Sequence, residues 1–368
     1  EGGEILKDAA GLPLGILIDR AVDLVGPLAE GRFDPSGAER EYLKGQEIAF
    51  SYGVTTFVDA GASRAELLAL LRLADDGRLK MRTYVLASVD TPADLVEVLG
   101  RPLVVEHRDR LTVRGVKVYA DGALGSRGAA LLEPYADRPE TRGLDVTSPD
   151  LMRKIAIRCA ERGFQMCVHA IGDRGVRTTL DAMEAAPDGA AKRLRFRVEH
   201  AQHVDPADLP RFAKAGIVAS IQARHAPSDA PWGRARLGDD RLERTGYRWR
   251  DFFDSGALVV NGTDAPVEPL SPFENFYAAA TRRDPSGRSD YVLTPNQRMN
   301  RHEALAAATT YGAFATFSEG RRGKLAPGFD ADVCVVSEDL LLASDDAVRN
   351  ARCLLTVVGG EIVYAVPD

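Results

Sequence analysis

Four short segments at expected strand ends each carry a possible metal ligand. They are Val116-Lys117-Val118-Tyr119, Cys167-Val168-His169, Val198-Glu199-His200 and Asn261-Gly262-Thr263-Asp264. In chain order they offer a Lys, two His and an Asp. Neutral imidazole and carboxylate suit Zn2+, and a carboxylate beside such an ion can take a proton from activated water. The set suggests metal-dependent hydrolysis at strand ends, with one or two Zn2+ ions expected; iron and manganese are served by the same ligands.

Each residue also has a plainer reading. Lys117 lies in an apolar strand and shares a face with Tyr119 and Asp121. An unpaired ammonium facing inward is costly. Either it pairs with Asp121 or another inward carboxylate, or CO2 converts it to an anionic carbamate able to bridge two metals. His169 and His200 taken singly read as satisfied strand-end histidines; on successive strands, followed by an acid, they read as ligands. Asp264 could otherwise form an Asx turn or cap a helix. His225, in Gln222-Ala223-Arg224-His225, could hydrogen-bond substrate or be a solvated loop residue. Arg127, in Gly125-Ser126-Arg127, could clamp a carboxylate or carbonyl. His107 and His302 read as surface residues, and His203 as support behind the site.

Positioning these groups requires a scaffold, and seven strand-like runs supply it: Val54–Asp59, Met81–Val89, Gly115–Ala120, Phe164–His169, Phe196–His200, Ile217–Gln222 and Ala257–Gly262. They alternate with helical patterns, which indicates βαβ units and a parallel sheet buried on both faces. Seven units fit an α/β fold, a (β/α)8 TIM-type barrel lacking its first strand, better than an open doubly wound sheet. Ser148-Pro149-Asp150 predicts the start of a helix over Leu151–Arg162 that stops at Gly163, and Asn300 to Glu303 predicts a capping box. After Leu325, Ala331–Val336 and Leu354–Tyr364, turning at Gly359-Gly360, predict a small antiparallel unit. The expected domains are thus a hydrolase barrel over 1–322, incomplete at its start, and the C-terminal part of a β-sandwich over 323–368. The opening stretch, Gly11-Leu12-Pro13-Leu14-Gly15 before Ile16–Ile18, shows turn residues and no clear periodicity.

Bulk composition narrows the classes. With 368 residues, 45% hydrophobic and 27% charged, the chain can bury a full core. A net charge of −7 and the lack of a dense basic run argue against nucleic acid or an anionic membrane as partner. No apolar run approaches the roughly 20 residues of a membrane span. The four cysteines form no CxxC pair and fit a reducing, cytoplasmic setting. The start, Glu1-Gly2-Gly3-Glu4, lacks the regions of a signal peptide and reads like the middle of a larger protein. The expected partner is a small-molecule substrate, with a homo-oligomer left open.

As a set these segments resemble the amidohydrolase superfamily, in the branch that holds the YtcJ-like proteins and N-substituted formamide deformylases. The resemblance rests on Gly53-Val54-Thr55-Thr56 with Asp59-Ala60-Gly61, and on Lys117 through Gly122 with Gly125-Ser126-Arg127. It continues in His169-Ala170-Ile171-Gly172-Asp173, Glu199-His200-Ala201-Gln202, Thr263-Asp264-Ala265-Pro266, and Gly323 through Gly328 with Ala331-Asp332. It implies hydrolysis of non-peptide C–N bonds. Lys117 would be the carboxylated bridging lysine, His169 and His200 ligands of the second metal, and Asp264 ligand and general base. Lys117, Asp264 and His225 are thus the candidate catalytic residues, and Arg127 and His225 the candidate substrate contacts. Such sites also use a His-x-His pair on an earlier strand, and no His precedes His107 here. Two other functions stay open: a split barrel that is non-catalytic until an N-terminal segment complements it, and a related lactone or phosphoester hydrolase.

Overall fold

In the computed structural model, which describes residues 3–25, 35–289 and 291–367, the chain opens with an antiparallel hairpin, β1 (Gly3–Lys7) and β2 (Pro13–Asp19). Glu1, Gly2 and Asp368, at the ends of the sequence, lie outside the described residues. The hairpin turns on Asp8, whose Oδ1 accepts from the amides of Ala10 and Leu12, both at 2.9 Å. Sequence periodicity does not show this hairpin, because Gly11, Pro13 and Gly15 interrupt its alternation.

All seven apolar runs form strands. After helix α1 (Pro35–Ser51) come β3 (Thr56–Ala62), α2 (Arg64–Asp75), β4 (Arg82–Ser88) and α3 (Pro92–Gly100). A short β5 (Val104–His107) precedes β6 (Leu111–Tyr119), α4 (Pro149–Arg162), β7 (Gln165–Ala170), α5 (Asp173–Glu184) and β8 (Arg197–His200). The series continues through α6 (Leu209–Ala215), β9 (Val218–Ile221), α7 (His225–Leu237) and β10 (Val259–Asn261). The strands pair in parallel in the order β10-β9-β8-β7-β6-β4-β3, with β5 antiparallel to β6.

The sheet curls, with β3 and β10 as its ends, and no strand among the described residues joins them. Its outer face carries Val116, Val118, Met166 and Val168, packed with Met152, Ile155 and Cys159 of α4 in the main core. Tyr84, Leu86 and Cys167 pack in a second cluster with Val58 and Phe317. Burial on both faces explains why these strands read as unbroken apolar runs.

Helix ends follow the local chemistry. Ser148 accepts from the Leu151 amide, Pro149 opens α4, and Gly163 at φ 78° closes it in the left-handed region. The Asn300 and Glu303 side chains make the reciprocal capping box of α8 (Arg301–Ala308). The C-terminal sheet, β11 (Val333–Val336), β12 (Cys353–Val358) and β13 (Glu361–Ala365), is antiparallel and turns at Gly359 and Gly360. It is tied to the large sheet through Arg82, a buried residue of β4 whose guanidinium meets Asp332 at 2.5 and 3.0 Å and Asp109 at 2.9 Å. No described helix is long and apolar enough to cross a membrane.

Candidate metal centre

Strand register aligns the inward side chains in two rows. Lys117 stands beside Cys167 and Cys167 beside Arg197; one step further along, Tyr119 stands beside His169 and His169 beside Glu199. His200 follows Glu199 directly, so strict alternation would send it to the opposite face. Its φ of 74° breaks the alternation. The His200 ring consequently meets His169 edge-on at 4.5 Å between centroids, and lies 6.0 Å from His225. Asp264 also takes a left-handed φ, 57°, just past β10. Asn275 fixes that exit by donating to the Asn261 side chain at 2.9 Å and the Gly262 carbonyl at 2.8 Å.

Lys117 is 4% exposed, and no described carboxylate lies within ion-pair distance of its Nζ, which sits 5.0 Å from the Tyr119 ring centroid. The alternative of a Lys117–Asp121 pair is not realised. The Asp121 carboxylate accepts instead from the backbone amides of Ala130 and Gly172 at 2.8 Å and Ile171 at 3.0 Å. Glu199 is taken by Arg197 at 2.8 Å. Burial pushes the Lys117 pKa down, against the pull of Glu199 and Asp264.

His200 and His225 are buried and His169 nearly so, and all three imidazoles are neutral at ordinary pH. Burial first, then the Lys117 charge, pushes His169 down to about 3. Burial pushes His225 to about 4, and His200 is held well below its usual value by burial and its neighbouring rings and Lys117. Asp264 moves the other way: burial raises it to about 6, opposed by Lys117.

These groups fit a divalent ion. One ligand atom each of His200, His225 and Asp264 lies within 4.8 Å of the other two. The buried Nε2 atoms of His169 and His225 have no hydrogen-bond partner among the described residues, a costly state that an electrophile or a substrate oxygen relieves. His200 Nδ1 donates to Gln222 Oε1 at 2.8 Å, which leaves its Nε2 lone pair free. Neutral histidines with a carboxylate are a hydrolytic donor set.

Other candidates have other company. Arg127 binds Asp137 with two nitrogens, at 3.1 and 2.9 Å. His107 meets Asp75 at 2.9 Å, and His302 is exposed. His203 is buried against Tyr247, and neither ring nitrogen has a hydrogen-bond partner among the described residues. A cleft of about 390 Å³ lies elsewhere, lined by Arg283, Met299, Arg301 and Asp345, and contains none of the clustered histidines. Sequence reasoning did not single out Gln202, whose amide meets His225 Nδ1 at 2.9 Å, or the role of Gln222. Their only signal was a buried amide at or just past a strand end.

With that geometry in place, comparison with known proteins is specific. The model of the family described as "Amidohydrolase family" matches residues 1–364. YtcJ of Bacillus subtilis is 31% identical over 99% of this chain and 68% of its own length. The N-substituted formamide deformylase of Arthrobacter pascens is 25% identical over 99% of this chain and 67% of its own. A metal-dependent hydrolase of Pyrococcus horikoshii superposes with a TM-score of 0.78, at 27% identity, covering 93% of this chain and 68% of that one. The chain spans 63–68% of the lengths of curated relatives that it matches end to end.

Proposed function

Since the chain belongs to the amidohydrolase family, we propose that its protein is a metal-dependent hydrolase of non-peptide C–N bonds in amide- or formamide-like substrates. The observation that carries this reading is the convergence of His200, His225 and Asp264 beside His169 and a Lys117 that meets no carboxylate within ion-pair distance among the described residues. The deformylase relative supports the substrate class.

In this reading His169, His200, Asp264 and a carboxylated Lys117 hold one or two ions, with Zn2+ first among them. The ion supplies a Lewis acid that polarises the carbonyl and makes water acidic. The chain's own residues do the rest. Burial favours the neutral amine of Lys117, the form that adds CO2 and releases a proton to become the carbamate. Asp264, anionic above about 6, takes the proton of the attacking water and passes it to the leaving nitrogen. His225 Nε2, 3.7 Å from Asp264, lies where it can bond the substrate oxygen.

A second reading, in which hydrolysis waits on a complementing segment, is favoured by the sheet ends β3 and β10, which pair with no further strand among the described residues. The test supplies purified protein with metal and bicarbonate and a panel of amides, formamides, lactones and phosphoesters. Formamide or amide turnover that disappears in Asp264→Asn supports the main reading. Turnover confined to lactones or phosphoesters, or indifferent to Asp264, overturns it.

A further inference from the structure

Two glutamines grip two of the clustered histidines by the same ring atom and with opposite polarity. Gln222 presents its carbonyl oxygen to His200 Nδ1 at 2.8 Å, whereas Gln202 presents its amide nitrogen to His225 Nδ1 at 2.9 Å. An amide oxygen only accepts and an amide nitrogen only donates. His200 therefore carries its proton on Nδ1 and offers Nε2 as a lone pair. His225 has its Nδ1 lone pair engaged and carries its proton on Nε2.

We infer that Gln202 is a positioning residue that fixes His225 as a hydrogen-bond donor to substrate rather than a metal ligand, while Gln222 holds the His200 proton on Nδ1, 4.0 Å from Asp264 Oδ2, and leaves Nε2 as the only His200 atom open to a metal. The inference rests on the hydrolase reading for its catalytic consequence alone. Both glutamines are built into the fold. Gln202 is 5% exposed and Gln222 8%. The Gln202 carbonyl accepts from the Tyr247 amide at 2.6 Å, and its neighbours Ala201 and His203 donate their amides to Ala170 and Ile171 at 3.1 and 2.9 Å. The segment after β8 is thereby stitched to the end of β7, and the Gln202 amide has a fixed origin.

His225 Nε2 is buried, has no hydrogen-bond partner among the described residues, and lies 3.7 Å from Asp264 Oδ2. A cation placed against this atom meets an N–H, which cannot coordinate it. A substrate oxygen gaining negative charge meets a preorganised donor, the arrangement that stabilises an oxyanion. Proximity alone groups His225 with His200 and Asp264. The opposite polarity of the two glutamine contacts, an acceptor on His200 and a donor on His225, separates them.

Ring-nitrogen NMR of the metal-free full chain tests the assignment directly, since only six histidines contribute. His225→Gln and His200→Gln identify the two signals by their loss. The expected result is an Nε2–H tautomer for His225 and Nδ1–H for His200; an Nδ1–H signal for His225 overturns the inference. Metal content gives a second readout. His225→Ala should retain the ions with kcat down about a hundredfold, whereas His200→Ala should lose metal; loss of metal in His225→Ala overturns the inference. Gln202→Glu offers only acceptors and should move the His225 proton to Nδ1, lowering kcat with metal content unchanged. If the tautomers hold and no C–N bond is cleaved, the hydrolase reading fails alone; reversed tautomers in an active hydrolase sink this assignment alone.

Discussion

Asp121 rests directly on Gly175: a Cβ added to that glycine would lie 2.5 Å from the carboxylate Oδ2. The carboxylate cannot retreat, because its oxygens hold the amides of Ala130, Ile171 and Gly172. Those bonds set the path of the chain after His169. Oδ1 of Asp121 is also 3.7 Å from His169 Nε2. Gly175→Ala should therefore cost about 1–3 kcal/mol from overpacking and weaken metal binding about tenfold by shifting His169. Urea unfolding and metal titration check it; a variant matching the parent in both removes Asp121 from the site's support.

Asp264 predicts a pH signature. Its carboxyl is raised from 3.8 to about 6 in the metal-free protein, chiefly by burial. Between those values the folded chain holds a proton that the unfolded chain has lost, so this group's contribution to stability falls as pH rises through the window. Metal binding needs the anion and gains over the same range, approaching about tenfold per pH unit below 6. His169, at about 3, has already lost its proton there, and His225, at about 4, loses its own at the acid end of the window. Asp264→Asn should abolish this segment of the dependence in calorimetric titrations. An unchanged slope assigns the proton elsewhere.

The scaffold was more legible than the site. Burial on both faces made the seven parallel strands stand out as apolar runs, whereas β5 hides because Val105 and Glu106 are exposed and its pattern is that of a short edge. His169 and Lys117 obey the alternation that the sequence implies. His200 does not, since its inward direction comes from a backbone angle and not from its spacing. The freedom of Lys117 was equally hidden. Sequence puts Asp121 on its face, but the oxygens of Asp121 are claimed by amides 9 and about 50 residues away, which only the packed loops bring together.

Arg82 predicts how the C-terminal sheet is held. Its side chain is 3% exposed and faces Asp109, Asp330 and Asp332, and Asp332 also accepts from the Gly359 amide at the turn of β12 and β13. Arg82→Met should leave Asp332 buried without its cation, at a cost of about 3–5 kcal/mol. Hydrogen exchange should show the loss concentrated in β11 to β13. Protection lost evenly over the chain, or not at all, counts against this junction.

Gln222→Leu keeps the bulk beside His200 and removes the acceptor of its Nδ1–H. The ring is then free to turn, and its buried N–H has no partner. Metal affinity should fall about 10–100-fold, with global stability down by about 1–3 kcal/mol. Full affinity in this variant means that another contact orients His200.

Lys117 separates the two readings of its own charge. As an ammonium it is buried, lacks a described carboxylate within ion-pair distance, and sets a positive charge beside the cluster proposed to hold a metal. As a carbamate it supplies an anion where one is wanted. Lys117→Met keeps the length and deletes both states. If the metal-free chain carries the ammonium, the substitution should leave its stability unchanged or raise it by about 1–2 kcal/mol, since a buried unpaired charge is removed. Metal should still be lost, because the bridging anion cannot form. Isotopically labelled bicarbonate should give a carbamate carbon signal in the metal-loaded parent and none in Lys117→Met. A parent that binds metal at full stoichiometry without that signal makes Lys117 a plain buried amine, and the site must then draw its missing negative charge from another group.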